Sequence, residues 1–160
     1  MKHKILFPLI ACLAIGLSSC FDDMETVYDG PTLVEFNEAV TRTPAVGRSY
    51  PIISLANSVT AGSTSVASLN LVGRQRSSDL TVKVLVDPTL TTVAATSYTL
   101  SNGGNVVIPA NSSVGSLTMA VSRATSATAP LGNVVFVLDS TNTEFRPSQN
   151  YRRLGFSFRQ

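Results

Sequence analysis

Tryptophan is absent from this chain, histidine occurs once at His3, and cysteine occurs only at Cys12 and Cys20. All three of these residues fall in the first twenty positions, so the chain beyond Cys20 has no imidazole and no further thiol. Ser-His-Asp and Cys-His nucleophilic catalysis are thereby excluded. Zinc and iron lose their usual ligands. No disulfide can staple the fold, which must rest on its core. Charge is also scarce: 14% of residues are charged, 44% are hydrophobic and the mean hydropathy is +0.23. That composition excludes a disordered polyelectrolyte and a polytopic membrane protein, and 160 residues leave room for one domain beside a leader.

The one long apolar run is Ile5 to Leu17, preceded by Lys2-His3-Lys4 and followed by Leu17-Ser18-Ser19-Cys20. It is shorter than the ~20 residues a membrane-spanning helix requires. The three-part pattern predicts an export signal over residues 1–19. Its end resembles the bacterial lipobox, which implies that Cys20 is diacylglycerol-modified and becomes the first residue of an acylated, membrane-held chain. An ordinary signal peptide cut near Ser19, with Cys20 a bystander, is the alternative. Removing Lys2 and Lys4 brings the net charge from +2 to zero.

Residues 20–31 read as an acidic tether. From Phe21 to Glu38 there are six acids and no base, a composition that stays extended and wet. Asp22, Asp23 and Glu25, directly behind the lipidated cysteine, resemble the export signal by which Bacteroidetes lipoproteins reach the cell surface, although that pattern often begins with Ser or Lys where this chain has Phe21. The resemblance implies an outer-membrane location facing the cell exterior.

Residues 32–160 carry short β runs separated by Gly, Pro, Asn and Ser. The runs are Leu33 to Asn37, Pro51 to Ala56, Ser65 to Val72, Leu80 to Asp87, Thr96 to Leu100, Val106 to Pro109, Val114 to Ser122, Val134 to Asp139 and Tyr151 to Phe158. Alternation is strict where Leu80, Val82, Val84 and Val86 share one face, and again for Leu117, Met119 and Val121 and for Leu154, Phe156 and Phe158. No run has the spacing of a long helix; Asp87-Pro88-Thr89-Leu90 predicts one short helical turn at most. Asn102-Gly103-Gly104-Asn105 predicts a hairpin turn joining the strand through Tyr98 to the strand through Ile108. These features predict an all-β protein: an antiparallel β-sandwich of about eight or nine short strands.

The block from Leu69 to Gln160 includes Leu71-Val72-Gly73-Arg74-Gln75-Arg76-Ser77-Ser78-Asp79, Tyr98-Thr99-Leu100, Val107-Ile108-Pro109-Ala110-Asn111-Ser112-Ser113 and Arg146-Pro147-Ser148-Gln149-Asn150-Tyr151. It resembles Bacteroidetes surface lipoproteins of unassigned function, similar in strand pattern to Calx-β and other immunoglobulin-like modules. The resemblance implies an immunoglobulin-like sandwich and, as partners, an outer-membrane transporter with its lipid-anchored binding protein, the pair that forms starch-utilisation-like uptake systems. It marks a fold and an association, not an activity.

Chemistry is hard to find in the remaining residues. Only Asp79, Asp87, Asp139 and Glu144 follow Glu38, and as turn residues they make a poor glycosidase pair. Asp139-Ser140-Thr141-Asn142-Thr143-Glu144 carries oxygen ligands without the D-x-[DN]-x-[DN]-G spacing of a calcium loop, and no metal or other cofactor is predicted. Asn102-Gly103-Gly104 lacks nucleotide-binding spacing. Arg74-Gln75-Arg76 and Arg152-Arg153 place neighbours on opposite faces of a strand, and no nucleic-acid partner is predicted. Tyr28, Tyr50, Tyr98 and Tyr151 are scattered, so a sugar-stacking platform is neither visible nor forbidden.

The sequence therefore predicts a lipid-anchored, non-catalytic cell-surface accessory or structural module, with a glycan-binding lipoprotein as the alternative and an enzyme last. One surface stands out. Val134 to Leu138 is apolar at both parities. With Val134, Phe136 and Leu138 inward, Val135 and Val137 point outward beside Leu85, either as a partner surface or beneath a cover formed by Leu33 to Phe36.

Overall fold

The computed structural model describes residues 30–160; Cys20, Asp22, Asp23 and Glu25 lie outside the described residues. In chain order the strands are β1 (Leu33–Phe36), β2 (Ile52–Ser54), β3 (Ser63–Val72), β4 (Leu80–Val86) and β5 (Tyr98–Leu100). Then come β6 (Asn105–Ile108), β7 (Val114–Val121), β8 (Leu131–Leu138), β9 (Arg146–Pro147) and β10 (Arg153–Arg159). One short α-helix, α1 (Asn37–Thr41), follows β1, and two 3-10 segments, Ala95–Ser97 and Ser101–Gly104, flank β5. Two five-stranded sheets result, in the orders β5-β7-β3-β1-β9 and β2-β10-β8-β4-β6. They stack as a sandwich with one shared apolar core.

The strict alternations place the core as expected. Leu80, Val82 and Val84 of β4, Leu117, Met119 and Val121 of β7, and Leu154, Phe156 and Phe158 of β10 are all buried. Phe136 sits at the centre, its ring 5.7 Å from that of Phe156 and 6.1 Å edge-on from that of Tyr98. Burying a phenylalanine side chain stabilises by about 1.5–3 kcal/mol, and an aromatic pair adds about 0.5–1.5 kcal/mol. Five buried phenylalanines, Phe36, Phe136, Phe145, Phe156 and Phe158, thus anchor a core that no disulfide staples.

Several expectations are corrected. The pairing is not wholly antiparallel: β1 runs parallel to β9 and β10 parallel to β2, both at sheet edges. Such pairs join segments far apart in sequence, which a hairpin cannot connect. The turn at 102–105 is not a hairpin either. It has the positive φ values its composition predicts, 49° at Asn102, 57° at Gly103 and 85° at Gly104, yet β5 pairs with β7 in one sheet and β6 with β4 in the other. Tyr98 and Ile108 enter the same core from opposite sheets, so the turn carries the chain across the sandwich edge. Asn37 leaves the strand and starts α1, because the Glu38 carboxylate turns to accept the Ser68 N–H of β3 at 3.1 Å, with Ala39 buried beneath. Asp87-Pro88-Thr89-Leu90 forms a turn closed by Thr91 N–H to Asp87 O at 3.1 Å, not a helix.

The proposed outer patch is also corrected. Val135 is completely buried while lying outside the main core, Val137 is half-buried and only Leu85 is exposed. Leu33 to Phe36 does not cover them, since it is β1 of the other sheet. The cover comes from two loops. After β4, the chain runs along β8 as Asp87 N–H donates to Val135 O at 2.8 Å and the Thr91 hydroxyl accepts the Val135 N–H at 3.0 Å. From the other side, Tyr50 lies over Gly155, the partner of Val135 across β8 and β10.

Candidate functional site

The loop at residues 42–51, between α1 and β2, organises the surface. Ala45 N–H donates to Tyr50 O at 3.0 Å and Arg48 N–H to Ala45 O at 2.9 Å, with Gly47 at a φ of 71°. The Arg48 guanidinium donates to the Tyr50 hydroxyl at 3.0 Å and lies 5.7 Å from its ring centre, a cation–π contact. Pro51 O accepts the Gly155 N–H at 3.0 Å, tying the loop's end to β10. The loop stands as a ridge with a cleft on either side, and Ser49 lines both.

The first cleft has a volume of about 600 Å³. It is lined by the apolar side chains of Ala39, Val40 and Pro44 and by Arg42, Ser49, Gln149, Asn150, Tyr151 and Arg152. Tyr151 is 37% exposed, and its backbone is fixed by Phe36 N–H donating to Tyr151 O at 3.0 Å and by its own N–H donating to Ser148 O. A tyrosine, two primary amides, a hydroxyl and two guanidinium groups beside three apolar side chains can hold a polar, ring-shaped ligand.

The second cleft, about 400 Å³, is lined by Arg48, Tyr50, Asp87, Thr89 and Arg153 among others. Here one of the two arginines, Arg153, has a carboxylate partner. Asp87 accepts the Thr89 hydroxyl at 2.7 Å and the Thr89 N–H at 3.1 Å, and pairs with the Arg153 guanidinium at 3.3 Å. The Thr89 hydroxyl foremost, with the Thr89 N–H and Arg153, holds this carboxyl below its ordinary range against the opposing effect of burial.

The other acids are engaged locally. Asp79 accepts the Ala110 N–H at 2.8 Å, and Glu144 meets Arg76 at 2.7 Å. Asp139 accepts the Thr141 N–H at 2.9 Å, which lowers its pKa. Glu35 is raised by burial against a Ser148 hydrogen bond. Among the described residues no group of three or more His, Cys, Asp or Glu side chains gathers as a metal site.

Sequence reasoning treated Arg152-Arg153 as solvated surface. Alternation does send the pair apart, but into the two clefts: Arg152 to the first and Arg153 to the second. The tyrosines, scattered in sequence, are partly gathered. Tyr50 and Tyr151 flank the same ridge, Tyr98 is in the core, and Tyr28 lies outside the described residues. Arg42 and Ser49 carry no sequence signal of a site, and Gln149 and Asn150 stand in the sequence only within the block that carries the resemblance; the polar run Ser148 to Arg153 reads as an ordinary solvated loop.

No family model matches the chain, and no curated protein matches it. Solved structures do. A two-domain protein of unknown function from Bacteroides fragilis superposes on 81% of this chain and 45% of its own, with a TM-score of 0.52 and 7% identity. EndoBT-3987 of Bacteroides thetaiotamicron, solved with a Man5GlcNAc product, superposes on 68% of this chain and 28% of its own, with a TM-score of 0.50 and 10% identity. The likeness is one of fold. The chain spans less than half the length of either structure. A carbohydrate-binding protein of Bacteroides ovatus, so described only provisionally, gives a TM-score of 0.49 at 12% identity, over 68% of this chain and 34% of its own.

Proposed function

We propose that this chain is a lipid-anchored module of the outer cell surface that binds glycan without cleaving it, and that the cleft between α1, the 42–51 loop and Gln149 to Arg152 is its binding surface. The cleft is the observation that carries the reading. A volume of about 600 Å³ lies within the roughly 300–1,000 Å³ range of ligand sites. The Tyr151 ring offers a face to a pyranose, and Gln149, Asn150 and Ser49 supply donors and acceptors for its hydroxyls. The acids described above are each bound to a partner and none lines this cleft, which supports binding without hydrolysis.

The strand orders support the immunoglobulin-like class. With β1, β3, β4, β5, β7, β8 and β10 taken as A, B, C, D, E, F and G, the sheets read D-E-B-A and G-F-C. Anchoring rests on Leu17-Ser18-Ser19-Cys20 and outward display on Asp22, Asp23 and Glu25. A place beside an outer-membrane transporter and its lipid-anchored binding protein follows from the resemblance, and a solved fold shared with a protein carrying a Man5GlcNAc product is consistent with glycan traffic. The accessory module without a ligand, which the sequence ranks first, leaves the cleft without a use.

The test is affinity electrophoresis of the full chain through gels containing a panel of neutral and acidic polysaccharides. Retardation in at least one gel, lost in Tyr151→Ala with an unchanged melting temperature, is expected; unretarded migration in every gel overturns the reading.

A further inference from the structure

The two clefts beside the 42–51 loop differ in charge. In the second, Arg153 is paired with Asp87 and Arg48 donates to the Tyr50 hydroxyl. In the first, Arg42 and Arg152 both line the cleft and no carboxylate does. The acids flanking this part of the chain are engaged elsewhere, Glu38 by the Ser68 N–H and Glu35 by the Ser148 hydroxyl. Arg48, Arg76, Arg153 and Arg159 each donate to a side chain or a carbonyl. Among the described residues no side-chain partner is seen for the Arg152 guanidinium, and its Nε, like that of Arg76, is buried without an acceptor. A buried donor on a charged group is costly unless an acceptor completes it. The surrounding field points the same way: residues 30–160 hold ten basic and six acidic side chains, a surplus of four positive charges.

We infer that the ligand of this cleft is an anionic glycan, whose carboxylate or sulfate group lies between Arg42 and Arg152 while a neighbouring ring stacks on Tyr151. This rests on the glycan-binding reading above and narrows its ligand class. Both anions suit a guanidinium fork, which presents parallel N–H donors to a pair of oxygens. A negative charge would match the two positive charges that line the cleft without a carboxylate. A neutral glycan would not.

The experiment uses the full chain in affinity gels containing polygalacturonate, chondroitin sulfate, dextran or mannan, with calorimetry on those that retard it. Binding to polygalacturonate or chondroitin sulfate, but not to dextran or mannan, is expected. Polygalacturonate alone identifies a carboxylate ligand, chondroitin sulfate alone a sulfate ligand, and either supports the inference. Arg42→Gln/Arg152→Gln should weaken binding by about tenfold or more, as loss of charge-assisted hydrogen bonds does. Arg74→Gln/Arg123→Gln, which removes the same charge away from the cleft, should not. Equal weakening by both pairs would make the attraction a general surface charge effect and overturn the inference. Binding of dextran or mannan, lost in Tyr151→Ala and indifferent to Arg42 and Arg152, would overturn the anionic ligand and leave glycan binding standing. Retention of no polysaccharide would overturn both. Should Arg152→Gln lower the melting temperature, Arg42→Gln alone serves, since Arg42 is exposed.

Discussion

Gly155 makes room for Tyr50: a Cβ on Gly155 would lie 3.3 Å from Tyr50 Cε2 and 2.9 Å from Ile52 Cγ1. This gap in β10 lets the aromatic ring settle on the outer face of the sheet, and it explains how Val135, the strand partner of Gly155, is buried without belonging to the main core. The same seating fixes one end of the loop that separates the two clefts.

Gly155→Ala is therefore expected to destabilise by about 1–3 kcal/mol through overpacking. A larger residue should do more, displacing Tyr50 and with it the Arg48 contact. Denaturant melts of the Ala and Val variants measure this; a melt for Gly155→Val equal to wild type would mean that the ring is free to move aside.

Val135→Lys places a charge beneath the Tyr50 cover and should cost roughly 3–5 kcal/mol. Thermal melts decide. A stable variant that instead alters its elution in size-exclusion chromatography would show the face to be open to a partner.

Asp87 links stability to pH. Its carboxyl is held below its ordinary range in the fold, so it binds a proton more weakly folded than unfolded. The resulting stabilisation is complete above the unfolded value of about 3.9 and is lost as pH falls through the lower folded value. Asp87→Asn should melt lower than wild type at pH 7, and the difference should shrink below about pH 4. A gap that stays constant between those pH values would contradict the linkage.

Cys20→Ser should abolish acylation and release the chain from the membrane. Metabolic labelling with an alkyne fatty acid reads this directly, and equal labelling of mutant and wild type would sink the anchor. Replacing Asp22, Asp23 and Glu25 with Ala should reduce cleavage by protease added to intact cells; unchanged shaving would leave the acidic run a tether alone.

The β class, the absence of imidazole and thiol chemistry and the inward faces of β4, β7 and β10 are legible in the sequence, because alternation with period two is a local property that each strand carries alone. The sheet to which a strand belongs is not local. Asn102 and the two glycines after it announce a tight turn, but whether it folds back into one sheet or crosses to the other depends on β4 and β7, which compete for β6 and β5 from distant parts of the chain. Val134 to Leu138 announces burial on both faces. That Tyr50 supplies the cover depends on a glycine in β10, far from both in sequence. The clefts are decided later still. Arg42, Ser49 and Arg152 are unremarkable polar residues until α1, the 42–51 loop and the start of β10 bring them to one cleft, where two positive charges without a carboxylate acquire a meaning that no spacing along the chain could convey.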